Sequence, residues 1–331
     1  MDLKTRLLEW MRGGTGDFAE MALEVFAYQF ERNPAYRNYC IALGKTPETL
    51  SSWREIPAVP SDAFKLPDLA WRCFQESEVS GFFLTSGTTT ETKGKNEFRD
   101  LELYEAAVLG AWRELALPAL DRPWFFSQRS HAAPHSSLVR MFKILDREGN
   151  WLIDAEGRMA CSDFLPQGET AVLGTSLALL RVCEEMPAQA LRDGSWIFET
   201  GGSKGLRDSF TPQQVRERLS AHFGVPQSRI LNEYGMTELF SQCYKWGDQE
   251  AHHGPPWLGI RILDVHSGEP AALGQMGYLE IIDLANLDSV AAIRTQDFAT
   301  ALGEREFILH GRDPGAIARG CSRGVDDVLK R

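Results

Sequence analysis

Phe83-Leu-Thr-Ser-Gly-Thr-Thr-Thr-Glu-Thr-Lys-Gly-Lys95 decides how this chain is read. It follows an apolar, strand-like run, Phe82–Leu84, and places hydroxyls, two glycines and two lysines in one loop. Glycine lets a backbone come close to an anion, hydroxyls and amides donate to its oxygens, and lysine supplies the countercharge. The stretch is therefore read as a phosphate-holding loop. It is not a Walker-type loop, because Gly-x-x-x-x-Gly-Lys-[Ser/Thr] is absent.

Outward from the loop, strands and helices alternate. Trp124–Phe126, Ala171–Leu173, Trp196–Phe198 and Arg229–Leu231 read as strands, and Leu101–Leu115 as a helix. Thr175 is placed to cap a helix reaching Glu184, and Thr211-Pro212 to open one that ends at Phe223. Such alternation predicts an α/β sheet covered by helices on both faces. Upstream, residues 1–32 have helical spacing, from Leu7, Leu8 and Trp10 to Phe26 and Phe30. Downstream of about Pro255, Leu258–Leu263 and Tyr278–Ile282 flank the turn-rich His266-Ser-Gly-Glu-Pro270, and Glu306–Leu309 adds a further strand. The expected organisation is a helical region over 1–80 packed on the core, an α/β nucleotide-binding core over 81–255, and a small β subdomain with a short tail over 256–331.

Composition sets wide bounds. The 331 residues are 43% hydrophobic and 24% charged, ordinary for a globular protein. A net charge of -11 argues against a general nucleic-acid surface. No long apolar segment predicts a signal peptide or a membrane span, so a cytoplasmic protein is expected. Cysteines 40, 73, 161, 183, 243 and 321 show no Cys-x-x-Cys or metal-type spacing, so reduced thiols are expected, five of them filling the core.

Four more segments carry chemistry. Glu199-Thr-Gly-Gly-Ser-Lys-Gly205 follows a strand, where a sheet edge can receive a ligand. Asn232-Glu-Tyr-Gly-Met-Thr-Glu238 offers an aromatic face, a glycine for close approach (Gly235), a hydroxyl and two carboxylates. Arg294-Thr-Gln-Asp297 carries an acid suited to a ribose diol, and Gly311-Arg312-Asp313 follows the last strand.

In this order the five segments resemble the adenylate-forming superfamily of acyl-CoA synthetases, peptide-synthetase adenylation domains and luciferases, over roughly residues 80–322. The Gly268-to-Glu280 stretch resembles the hairpin of that superfamily. The resemblance implies a large N-terminal-type α/β domain of that fold with a small β subdomain, using ATP and Mg2+ as cofactors to activate a carboxylic acid. It implies that Thr85, Ser86, Gly87, Thr88, Thr89 and Lys93 hold the phosphates. Gly201 and Gly202 would line the adenine and ribose, Tyr234 would stack on adenine beside Gly235, and Thr237 would touch the α-phosphate. Glu238 would hold Mg2+, as a hard carboxylate ligand should. Asp297 would accept from the ribose hydroxyls, with Arg312 beside them. His135 and Gly174 would stand on the acid-substrate side.

Several positions depart from the superfamily pattern. Thr90 and Thr92 replace a usual glycine and proline, and Gln296 replaces the glycine of Arg-Thr-Gly-Asp. The separate C-terminal lid domain and its catalytic lysine are expected to be absent. One branch shares that feature: the acyl-protein synthetases that serve the fatty-acid reductase complex of luminous bacteria. Ile56-Pro-Ala-Val-Pro-Ser-Asp-Ala-Phe-Lys65, Pro134-His-Ser-Ser-Leu138 and Arg319-Gly-Cys-Ser322 resemble segments of that branch. That match implies Cys321 as the acyl acceptor, with Arg319 and Arg323 favouring its thiolate, and an acyl-accepting reductase or carrier protein as the expected partner. Lys204 is a candidate for the charge of the absent lysine.

Plainer readings stand beside these. The plain alternatives are a core tyrosine and a solvated acid for Tyr234 and Glu238, a surface ion pair for Asp297 with Arg312, buried filler for Cys321, a backbone-bound loop histidine for His135 and a solvated lysine for Lys204, while Lys65 reads as structural. Three functions therefore stay open: an acyl-protein synthetase loading Cys321, an adenylate-forming enzyme of a biosynthetic pathway without acyl-cysteine, and a non-catalytic nucleotide-binding homologue.

Overall fold

The computed structural model describes residues 1–85, 93–201 and 210–313. In chain order the helices are α1 (Leu3–Met11), α2 (Phe18–Arg32), α3 (Pro34–Ala42), α4 (Glu102–Glu114), α5 (Ser137–Leu145), α6 (Ser176–Glu185) and α7 (Pro212–Phe223). The strands are β1 (Val59–Pro60), β2 (Gly81–Leu84), β3 (Lys95–Phe98), β4 (Trp124–Gln128), β5 (Asn150–Ile153), β6 (Ala171–Thr175) and β7 (Trp196–Thr200). They continue as β8 (Ile230–Tyr234), β9 (Cys243–Trp246), β10 (His252–His253), β11 (Leu258–Leu263), β12 (Met276–Asp283), β13 (Ala292–Ala301) and β14 (Glu306–Arg312). Contacts group the chain into two compact units, one of Met1–Leu115, Met236–Gln242 and the chain from His253 on, the other of Ala116–Gly235 and Cys243–His252.

In the first unit the helical reading of 1–32 resolves into α1 and α2. Gly16 explains part of the break, since a Cβ there would lie 2.4 Å from the Trp10 ring. Asp2, Asp17 and Asn33 cap α1, α2 and α3 by accepting from Thr5, Glu20 and Tyr36 amides. The sheet of this unit runs β11-β12-β13-β14, antiparallel throughout, and β1 adds to β13 in parallel with Val59 opposite Ile293. The expected 258–263 and 278–282 pair is the β11–β12 hairpin. Strands β2 and β3 form a separate antiparallel ribbon with Leu84 opposite Lys95. Phe83 is buried in an aromatic cluster with Tyr104 of α4, Phe98 and Phe240, which fixes the end of β2 where the phosphate loop begins.

The second unit holds a parallel sheet in the order β8-β7-β6-β4-β5, extended by antiparallel β9 beside β8. Strand β7 is buried at every position, as expected of a parallel strand covered on both faces. Leu179, Leu180 and Val182 of α6 and Leu219 and Phe223 of α7 share one core with Phe126, Val172, Ile197 and Ile230. Thr175 caps α6 and Thr211 caps α7, both as the sequence predicts, and Gln214 completes a capping box with Thr211. The strand expected at Arg229–Leu231 starts one residue later and continues to Tyr234, after a 3-10 turn at Gln227–Arg229.

Candidate active site

The first unit brings one group of the expected residues together. Thr85 follows β2, and its amide donates to Gly94 O at 2.9 Å while Gly94 N donates back to Thr85 Oγ1 at 2.9 Å. This closes the neck of the phosphate loop. A Cβ on Gly94 would lie 2.8 Å from Thr85 Cγ2, so the neck admits no side chain there. Lys93 stands exposed beside it. Ser86, Gly87, Thr88 and Thr89 lie outside the described residues.

Thr237 is tied to the same place, its hydroxyl donating to Leu84 O at 3.3 Å and its carbonyl accepting from Asn96 Nδ2 at 3.0 Å. Glu238 follows and is 4% exposed. Burial lifts its carboxyl from the ordinary range to about 7, opposed by the charges of Lys65 and Arg312 and reinforced by Asp297. Lys65, read from sequence as structural, therefore lies within electrostatic reach of Glu238, and its Cγ would be 3.5 Å from a Cβ on Gly94. It ends a 3-10 turn, Ser61–Lys65, pinned by Trp71 Nε1 donating to Ala63 O and by the Phe64–Trp71 ring contact.

Asp297 on β13 sits directly opposite Arg312 on β14. The Arg312 Nη2 donates to Gln296 Oε1 at 2.5 Å. Gln296, the departure from the superfamily glycine, is thus what holds the arginine. Asp313 N donates to Gln296 O, and Tyr278 OH donates to Asp313 Oδ2.

The second unit gathers the others at the C-terminal ends of its parallel strands, where ligands of such sheets are received. Gly201 follows β7, and Tyr234 ends β8, half-buried, its ring edge-on to His252 at 6.1 Å between centroids. Glu199 accepts from Ser176 Oγ and from Asn232 Nδ2. Since that amide nitrogen donates to a carboxylate, Asn232 Oδ1 is the acceptor facing His252 Nε2 at 2.7 Å, which assigns the proton to that ring nitrogen. On the other face Thr200 Oγ1 donates to buried Glu233. Gly235 closes the segment. Gly174 lies on β6, but a Cβ there would meet Leu179 at 3.1 Å and Phe126 at 3.3 Å, so its missing side chain serves helix packing. His135 and His131 are exposed on the loop before α5. Gly202, Lys204 and Cys321, with Arg319 and Arg323, lie outside the described residues. Cys40, Cys73 and Cys243 are buried free thiols and Cys183 is half-buried.

Among the described residues no group of three or more His, Cys, Asp or Glu side chains is gathered as a metal site. A single buried carboxylate, Glu238, suits Mg2+, whose other ligands are commonly phosphate oxygens and water. Among those residues also, no helix is long and apolar enough to cross a membrane. Sequence reasoning missed Asn96, Asp283, Asn286 and Ser289, which hold the Thr237–Glu238 segment. No local signal singles them out: Glu280 and Asp288 interrupt the same run from Leu279 to Ile293, so the pattern does not mark which polar residues reach the segment.

The chain has the fold of the adenylate-forming ligases. It matches a solved structure of 2-hydroxyisobutyryl-CoA ligase, in the postadenylation state with 2-HIB-AMP, at a TM-score of 0.64 and 15% identity, covering 88% of this chain and 67% of that one. More particularly, it is similar to the long-chain-fatty-acid–luciferin-component ligase of Aliivibrio fischeri, 23% identical over 305 residues, 87% of this chain and 80% of that relative. The same ligase of Vibrio harveyi is 24% identical over 322 residues, 91% of this chain and 83% of the relative. No family model matches the chain. The resemblance drawn from the ordered motifs is borne out by these relatives.

Proposed function

We propose that this chain is an ATP-dependent ligase that activates a carboxylic acid as its acyl-adenylate and passes the acyl group to a thiol. A carboxylate oxygen of the acid attacks the α-phosphorus of ATP, the bond to pyrophosphate breaks, and a mixed anhydride forms. A thiolate then attacks the acyl carbon and AMP leaves. The single observation that carries the reading is in the first unit: Thr237 is tied to the end of β2 and to Asn96 of β3, with buried Glu238 next in the chain, beside the closed neck of a Thr/Gly/Lys loop.

The roles follow from the chemistry of each residue. The loop of Thr85, Ser86, Gly87, Thr88, Thr89 and Lys93 holds the β- and γ-phosphates. Thr237 orients the α-phosphate, Tyr234 stacks on adenine beside Gly201, Gly202 and Gly235, and Asp297 accepts from the ribose with Arg312 alongside. Glu238 holds Mg2+, which when bound neutralises charge on the phosphates. Lys204 and Lys65 are the cations offered to charge developing at the α-phosphate. His135 remains on the acid side, whereas the contacts of Gly174 with Leu179 and Phe126 give that glycine to the packing of α6. The relatives named as long-chain-fatty-acid ligases favour a fatty acid as substrate. Cys321, flanked by Arg319 and Arg323, is the first acyl acceptor, and a reductase or carrier protein receives the group from it.

Pyrophosphate exchange across carboxylic acids of increasing chain length tests activation. Exchange is expected with the wild type, and Glu238→Gln should lower it by about 100-fold or more, as loss of a transition-state charge contact does. Absence of exchange with every acid sinks the ligase reading. Intact mass after turnover is expected to show one acyl adduct that Cys321→Ser loses. Exchange without any adduct selects instead an adenylate-forming enzyme that hands its product directly to another acceptor.

A further inference from the structure

The Thr237–Glu238 segment is held by a buried polar hub that the nucleotide motifs do not include. Asn96 Nδ2 donates to Thr237 O at 3.0 Å, and Asn286 Nδ2 donates to Glu238 O at 2.7 Å. Ser289 lies between the two, its hydroxyl shared between Trp71 O at 2.9 Å and Asn96 Oδ1 at 3.1 Å and its amide donating to Asn286 O at 3.0 Å. Two residues further on, Asp283 Oδ2 accepts from Phe240 N at 2.9 Å and Ser241 N at 2.7 Å, and its Oδ1 from Ser241 Oγ and Ala285 N. Gln29 of α2 closes the hub from outside, donating to Asn286 O and Leu287 O and accepting from Ala291 N. Asp283 and Asn286 are both 0% exposed, and Asn96, Gln29 and Ser289 are buried.

Such a hub is not what stability alone selects. Buried polar side chains lose hydration that hydrogen bonds only roughly replace, and well-packed apolar residues often serve as well or better. Asn286 makes the point most plainly: its Oδ1 is buried with no hydrogen-bond partner among the described residues. A leucine at that position would leave no such orphan. What it could not do is hold the Glu238 carbonyl. The hub grips the backbone of 237, 238, 240 and 241 in turn and leaves the side chains of Thr237 and Glu238 to other work.

We propose that Asn286, with Asn96 and Asp283, is a positioning residue that sets where the Thr237 hydroxyl and the Glu238 carboxylate stand beside the phosphate-loop neck, and so sets the affinity for metal-bound nucleotide. This rests on the reading of Thr237 and Glu238 given above. A carboxylate displaced by about an ångström loses much of its value as a ligand, whereas a contact to the acid substrate is untouched.

The test uses the full chain with Asn286→Ala, and Asn96→Ala as the second variant should the first fail to fold. Two measurements are made: hydrogen exchange of the peptide spanning Met236–Gln242, and the Mg2+ concentration giving half-maximal pyrophosphate exchange. The expected result is faster amide exchange confined to that peptide, a half-saturating Mg2+ concentration raised about tenfold, and an unchanged KM for the acid. Unchanged amide exchange overturns the proposal, and so does an unchanged Mg2+ requirement in a variant whose segment has loosened. Should the wild type show no pyrophosphate exchange with any acid, the ligase reading falls on its own. Half-saturation by Mg2+ is then read from ATP binding in calorimetry, and the same two outcomes decide.

Discussion

Glu233 shows what one buried side chain does to the pH response of this protein. Burial raises its carboxyl from the ordinary range to about 7; the bond from Thr200 opposes this, and the charge of Glu199 adds to it. Its folded value lies above its unfolded one, so its stabilising contribution is present below about 4.5 and is lost as pH rises through about 7. Urea denaturation should therefore give a protein less stable at about pH 8.5 than at about pH 5.5, with roughly 2 kcal/mol of the difference due to this group. Glu233→Gln should remove that part of the slope. An unchanged slope in the variant would mean that Glu233 is ionised in the fold throughout. The sequence placed two carboxylates in Asn232-Glu-Tyr-Gly-Met-Thr-Glu238 but could not say which environment each enters, because burial is decided by strands distant in the chain. Gln296 was legible only as a departure; its partner, Arg312, became apparent through the β13–β14 register.

At the scale of elements, β6 and α6 test a carried-over role. Gly174 was assigned to the acid substrate by resemblance, yet the space where its side chain would go is filled by Leu179 of α6 and Phe126 of β4. Gly174→Ala should overpack this contact and destabilise the protein by about 1–3 kcal/mol, seen as a lower denaturation midpoint. The acid preference in pyrophosphate exchange should not change. A variant of wild-type stability with a shifted chain-length preference would return Gly174 to the substrate pocket. Elements with a local signal were legible: Thr211-Pro212 announces α7, and the alternating apolar runs announce β11 and β12. The short strand β9 and the ribbon strand β3, Lys95-Asn-Glu-Phe98, were not. Four residues mixing polar and apolar side chains are too few to show a clear period.

At the scale of the whole molecule, the fold was legible because the ordered set of five segments resembles a known superfamily, although Arg294–Asp297 lies within β13 and Gly311–Arg312 within β14 rather than after a strand. The hub around Glu238 was not legible, because its bonds join Gln29 to Ala291 and Asn96 to Thr237, pairings that only tertiary packing creates. A ligand that binds only the folded chain stabilises it by mass action, by about 2.7 kcal/mol at a hundredfold excess over its dissociation constant. ATP with Mg2+ should accordingly raise the thermal midpoint by a few degrees, measured by calorimetry or intrinsic tryptophan fluorescence. On the proposed function, Glu238→Gln should lose most of the shift, because the metal-bound nucleotide would be what binds. Cys321→Ser should keep it in full, because the thiolate would act only after the adenylate has formed. A Cys321→Ser protein that no longer responds to ATP would place that cysteine in the nucleotide site and remove it from the transfer step.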